Sequence, residues 1–144
     1  MDLQDLEKIT KDEWIDTLDI FQQDLVRTLL EKNNEEEAID MWVRVTGSES
    51  TSMFGGVGKN DYLKNFKNEF DKFILEEEKY KDEIKELKNH GNVTKVFIVS
   101  FLSNALSKHL GVAASVVSPL IVLALCLIGR IGLNAYRESI KKKK

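Results

Sequence analysis

The chain contains stretches in which apolar residues recur every three or four positions, and one stretch in which polar residues are nearly absent. The first amphipathic stretch covers residues 10–32. Thr10 and Glu13 have the spacing of a capping box, so the pattern predicts a single helix that ends near Asn33. The apolar face predicted for this helix consists of Trp14, Leu18, Phe21, Leu25 and Leu29. A short extra turn is expected over residues 2–9.

Three more amphipathic helices are predicted along the chain. The first runs from Asn34 to about Val45, because Asn34 and Glu37 repeat the capping pattern. A glycine-rich loop over residues 47–58 follows it. A long helix over residues 61–89 has a heptad-like apolar stripe, interrupted at Glu77. The last amphipathic helix covers residues 94–110 and ends at Gly111.

The C-terminal part contains the longest apolar stretch. No formally charged residue occurs for 21 positions between Lys108 and Arg130, and residues 120–128 are all apolar. Ser118 as N-cap and Pro119 as the first helical residue predict a helix from there towards Ile140. Two interpretations are open: a helix that crosses a membrane, or the central helix of a bundle.

The membrane interpretation relies on length and charge. Residues 110–128 are long enough to span a bilayer, and basic residues follow them, as is typical of a tail anchor. The N-terminal part would then be cytoplasmic. The residues expected to contact lipid are Leu120, Leu123, Leu127, Arg130, Lys141, Lys142, Lys143 and Lys144.

The bundle interpretation is favoured because each amphipathic helix needs an apolar neighbour. The uninterrupted helix from Pro119 reaches only ten residues before Arg130 interrupts it, which is short of the roughly 20 that a span needs. We therefore predict a single all-α domain over residues 1–144, a bundle of four to five helices around an apolar C-terminal helix. A cytoplasmic location is expected.

Charge divides the chain into two parts. Residues 1–92 hold 13 basic and 23 acidic side chains, whereas residues 93–144 hold eight basic side chains and one acidic side chain. The acidic N-terminal part would repel phosphates, which argues against nucleic acid as a partner.

Residues that could support chemistry are few. Gly55 to Lys59 resembles the end of a nucleotide-binding loop, but Met53 stands where that motif needs glycine, and Asn60 stands where it needs Ser or Thr. Cys126 is the only cysteine and lies inside the apolar stretch, so it is interpreted as a buried hydrophobe. The two histidines lack the partner spacing of a metal or catalytic site. We expect no catalytic site, no cofactor and no metal.

The function expected from these patterns is protein–protein interaction, as an adaptor, inhibitor or regulatory subunit, with a protein partner or through self-association. The anchors predicted for that interface are Met53, Phe54, Tyr62 and Tyr80, since aromatic and soft side chains dominate interface energetics. Alternatively, Phe54 and Tyr80 pack into the bundle. The competing hypothesis is a membrane-inserting, pore-forming effector that uses residues 110–129.

Overall fold

A computed structural model describes residues 1–46, 58–91 and 93–142, and within these ranges all regular secondary structure is helical. The predicted all-α class is confirmed. The α-helices are α1 (Lys11–Ile15), α2 (Ile20–Lys32), α3 (Glu35–Thr46), α4 (Lys59–Ile74), α5 (Lys81–Asn89), α6 (Lys95–Leu110), α7 (Ala114–Ile131) and α8 (Leu133–Lys142), with 3-10 helices at Leu3–Lys8 and Glu78–Tyr80. The predicted count of four to five helices is wrong, because three predicted helices are each divided.

Helix α7 forms the centre of the molecule. Every residue from Leu120 to Ile128 is buried, as the sequence predicts. Helices α6 and α3 pack along α7 most extensively, and α1 and the N-terminal 3-10 helix also contact it. Each fully buried Leu or Ile contributes about 1.5–3 kcal/mol, so this helix supplies much of the apolar stabilisation.

The predicted helix over residues 10–32 is two helices. The capping box of Thr10 and Glu13 is present, but α1 ends at Ile15. Asp19 then starts α2, and its carboxylate accepts a hydrogen bond from the backbone N–H of Gln22 at 2.9 Å. Aspartate side chains compete with the helical backbone for hydrogen bonds, so a cap at this position ends one helix and begins the next.

The predicted helix over residues 61–89 is divided after Ile74. The backbone N–H of Glu77 donates to the Lys72 carbonyl at 3.0 Å, and that of Glu76 donates to the Phe73 carbonyl at 3.0 Å. This pair of bonds is a Schellman motif, with Glu76 in the left-handed position (φ 56°) that usually holds glycine. The reversal lets the following residues pack back onto α4.

The predicted helix from Pro119 to Ile140 begins earlier and ends sooner. Helix α7 starts at Ala114, and the Ser118 hydroxyl donates to the Ala114 carbonyl at 3.0 Å instead of capping the helix. Pro119 has no N–H, so it leaves the Ser115 carbonyl without its helical donor. The side-chain amide of Gln22 donates to that carbonyl at 3.3 Å.

Helix α7 ends before Gly132, whose positive φ of 91° turns the chain into α8. The carboxylate of Glu7 accepts a hydrogen bond from the backbone N–H of Leu133 at 3.3 Å. The short extra turn expected over residues 2–9 is confirmed as the 3-10 helix that carries Glu7.

Candidate functional site

Two of the predicted interface anchors are buried. Tyr62 and Tyr80 are almost completely inaccessible to solvent, so neither is a surface anchor in this structure. Both lie on the apolar faces of their helices, where packing excludes water. The expectation that Tyr62 is an interface anchor is therefore corrected. Tyr80 packs into the bundle, in agreement with the alternative stated for it. Met53 and Phe54 lie outside the described residues, as does most of the predicted loop over residues 47–58.

Tyr80 belongs to a buried polar cluster centred on Glu69. Its hydroxyl donates to a Glu69 carboxylate oxygen at 2.6 Å, and the Lys79 ammonium lies 2.7 Å from the same oxygen. Burial alone would raise the pKa of Glu69, but the hydrogen bonds from Lys79 and Tyr80 outweigh it and hold the pKa below its usual range. Burial and the Glu69 charge raise the pKa of Tyr80 above its ordinary value. The cluster ties the turn after α4 to α4 itself, with Tyr80 buried, Glu69 nearly buried and Lys79 partly exposed.

The α7 residues expected to contact lipid also face inwards. The bundle buries Leu120, Leu123 and Leu127. The expectation that they contact lipid is therefore corrected for the folded bundle. The Arg130 guanidinium lies 2.8 Å from the carboxylate of Glu35, whose side chain is nearly buried. Lysines 141 and 142 are exposed at the end of α8, and lysines 143 and 144 lie outside the described residues.

Within the described ranges, α7 is the one helix long and apolar enough to cross a membrane by length and composition. This is weak evidence, because the buried central helix of a bundle passes the same test. Most of α7 is enclosed by the other helices.

Exposed apolar side chains are concentrated on α2 and α3. Phe21 is 83% exposed, Ile20 64%, Val45 54% and Met41 36%. The only other large apolar side chain exposed among the described residues is Val96, at the start of α6. Scattered exposure is ordinary, but adjacent bulky residues on one helical hairpin are typical of an interaction surface.

Ile20 and Phe21 lie in the first turn of α2, whereas Met41 lies near the middle of α3 and Val45 near its end. Gln22, near the start of α2, bonds to Ser115 at the start of α7, whereas Glu35 at the start of α3 pairs with Arg130 at the end of α7. Helices α2 and α3 therefore run antiparallel, and the start of α2 lies near the end of α3. We call Ile20, Phe21, Met41 and Val45 the α2–α3 apolar patch.

Sequence reasoning missed this patch because Phe21 shares the three- and four-residue spacing of the buried Trp14. This spacing places residues on one helical face only within a continuous helix. It does not do so across residues 16–19, where the first helix has ended and the second has not begun. Asp19 followed three residues later by Gln22 is a helix-start pattern that would have revealed the break.

A groove of about 810 Å³ lies between α1 and the start of α6. Its charged side chains largely neutralise one another, because Lys8 pairs with Asp5 and Lys95 pairs with Glu13. The hydrogen bond from Lys95, with those from Thr10, lowers the pKa of Glu13 to about 2. The charged side chains that line the groove therefore pair mainly with one another.

Both histidines pack against aromatic rings. His109 packs edge-on against the Tyr80 ring at 5.2 Å between ring centroids, and His90 packs on Phe97 at 4.4 Å. Burial raises the pKa of the Cys126 thiol to about 12, so it is not an activated nucleophile. In the ranges that the structure describes, no group of three or more His, Cys, Asp or Glu side chains is arranged to hold a metal ion.

No protein-family model matches this chain, and the comparisons with curated proteins and with solved structures gave no match. The α2–α3 apolar patch is therefore the candidate functional site on structural grounds alone.

Proposed function

We propose that this protein is a non-enzymatic helical interaction module, acting as an adaptor, inhibitor or regulatory subunit, and that it binds a protein partner through the α2–α3 apolar patch. The observation that carries the proposal is the exposure of Phe21 beside Ile20 at the start of α2. Aromatic side chains near the centre of an interface dominate its energetics.

The free energy that would be gained by burying the exposed apolar side chains supports a binding role. Fully burying a side chain such as Phe21 yields roughly 1.5–3 kcal/mol, and Ile20 and Val45 would add to it. Phe21 and Ile20 remain exposed although the rest of the chain buries an extensive core. A partner that covers the patch would recover this free energy.

The test is affinity purification from the source cells with the full chain and two variants. Phe21→Ser removes the proposed anchor, and Val96→Ser removes a similarly exposed apolar side chain outside the patch. We expect a stoichiometric partner that co-purifies with the wild type and Val96→Ser but not with Phe21→Ser. Once purified, this partner should again bind the wild type and Val96→Ser and fail to bind Phe21→Ser. Circular dichroism checks that both variants fold. A partner retained by folded Phe21→Ser contradicts the proposal.

A second candidate function is membrane insertion by the hairpin of α6 and α7. It is favoured by one observation: no acidic residue occurs between Leu87 and Arg137, and this range contains the helix long enough to span a bilayer. Insertion would require the helices around α7 to separate from it.

Dye release from phosphatidylserine-containing vesicles distinguishes the two functions. Leakage that disappears when residues 141–144 are changed to Gln, together with membrane association that resists alkaline carbonate, would favour insertion. Inert vesicles together with a Phe21-dependent protein partner would favour the interaction module.

A further inference from the structure

The helical hairpin that carries the α2–α3 apolar patch is strongly acidic. Residues 19–46 contain seven acidic and three basic side chains. Two of the acids are neutralised by packing: Glu35 pairs with Arg130 on α7, and Asp40 pairs with Lys67 on α4 at 3.1 Å. The remaining charges decide which partner the surface can accept.

The solvent-facing acids that remain form no ion pair with any described residue. Asp24, Glu31 and Glu36 are exposed, and none of them is bridged to a cation in these ranges. Asp24 follows Ile20 by four positions and Phe21 by three, so it lies on the same helical face, one turn further along. The outer face of α2 thus presents two bulky apolar side chains, then Asp24, then Glu31 with the exposed Lys32 next to it.

We propose that the partner of the α2–α3 apolar patch is a cationic amphipathic helix of another protein, which places apolar residues on Phe21 and Ile20 and Lys or Arg residues along Asp24 and Glu31. This identification of the partner rests on the proposed function. An apolar centre with a charged border matches the ordinary anatomy of a protein interface, and complementary charge gives specificity and orientation. An anionic membrane or a nucleic acid would be repelled by these carboxylates.

The probe is a pair of model helical peptides with identical leucine positions, one with lysine and the other with glutamate at every polar position. Binding of fluorescently labelled peptide to the full chain is followed by anisotropy. We expect saturable one-to-one binding of the lysine peptide and none of the glutamate peptide. Phe21→Ser should weaken binding at least tenfold, whereas Val96→Ser, the matched control, should leave it unchanged.

The charge contribution is tested with the double variant Asp24→Lys, Glu31→Lys. Both side chains are exposed, so the fold should persist, and circular dichroism verifies it. We expect about tenfold weaker binding of the lysine peptide and a smaller dependence on salt, because exposed charges interact within about 10 Å at 0.1 M salt.

Three results would overturn the proposal. The first is equal affinity for both peptides, or lysine-peptide binding that is unaffected by Phe21→Ser. The second is Phe21-dependent self-association in sedimentation velocity without peptide, which assigns the patch to a second copy of the chain. The third is Phe21-dependent binding to phosphatidylserine vesicles, which assigns it to a membrane. If the lysine peptide fails but cellular capture still depends on Phe21, the interaction module stands and only the cationic partner is wrong.

Discussion

At the residue scale, Glu69 combines burial with three polar neighbours. Its carboxylate is held by Tyr80 and Lys79, and Lys72 lies 3.5 Å from the other oxygen. A buried charge that loses its partners is strongly destabilising, whereas an exposed pair contributes little. The position of Glu69 therefore makes stability depend on pH.

We expect Glu69→Gln to lower the free energy of unfolding by about 1–3 kcal/mol at pH 7, because the buried cluster loses its charge-assisted hydrogen bonds. The pKa of Glu69 is depressed in the folded state, so its stabilisation is present above the unfolded pKa and is lost as the pH falls through the folded value. Urea unfolding at several pH values between about pH 5 and pH 3 gives the free energy of unfolding as a function of pH. This free energy should fall less steeply with decreasing pH for Glu69→Gln than for wild type. The control, Glu78→Gln, removes an exposed carboxylate 3.7 Å from Lys81 and should change little. Identical pH profiles for the two variants would contradict the argument.

Burial of Cys126 predicts an unreactive thiol. Because the thiolate is the reactive species and burial raises the pKa of this thiol to about 12, iodoacetamide at pH 8 should not label the native protein. In guanidinium chloride, labelling should proceed at the rate of a free cysteine. Mass spectrometry gives both rates. Rapid labelling of native protein would indicate that α7 separates from its neighbours, as the insertion hypothesis requires.

At the scale of elements, the junctions between helices are specified by backbone conformation. The junction between α7 and α8 depends on Gly132, whose φ of 91° is unfavourable for residues with a Cβ atom. A Cβ built there would lie 3.1 Å from the Glu7 carboxylate oxygen that holds the start of α8. The backbone conformation and the contact with Glu7 therefore both oppose replacing Gly132 by a residue with a Cβ atom.

Gly132→Ala should therefore destabilise the protein by about 1–3 kcal/mol, measured by urea denaturation. Gly91→Ala is the matched control, since its φ is not positive and a Cβ there has no neighbour within 4 Å among the residues that the structure describes. We expect it to change stability by less than about 0.5 kcal/mol. Equal effects of the two substitutions would mean that the α7–α8 junction tolerates a side chain.

At the scale of the whole molecule, the enclosed helix α7 is the element on which the surrounding helices pack. Leu123 is fully buried at its centre. We expect Leu123→Asp to abolish cooperative folding, because burying an unpaired carboxylate costs several kcal/mol. Val96→Asp places the same charge on an exposed position of α6 and should fold normally. Thermal unfolding followed by circular dichroism checks both, and an unchanged transition for Leu123→Asp would exclude a buried α7.

Local chemistry in the sequence determined the helical class, the capping boxes and the apolar character of residues 120–128, which by itself fits either a membrane span or a buried central helix. These features depend on near neighbours and on total hydrophobicity, so they can be derived without tertiary contacts. Only the tertiary structure decided which apolar residues stay outside. Phe21 and Trp14 share one spacing, yet Asp19 restarts the helix between them and leaves Phe21 exposed. Pro119 lies inside α7, and Gln22, far away in sequence, donates to the Ser115 carbonyl that the proline leaves without a helical donor. Spacing along a chain defines a face only within one continuous helix, and whether that face is buried depends on the distant residues that pack against it.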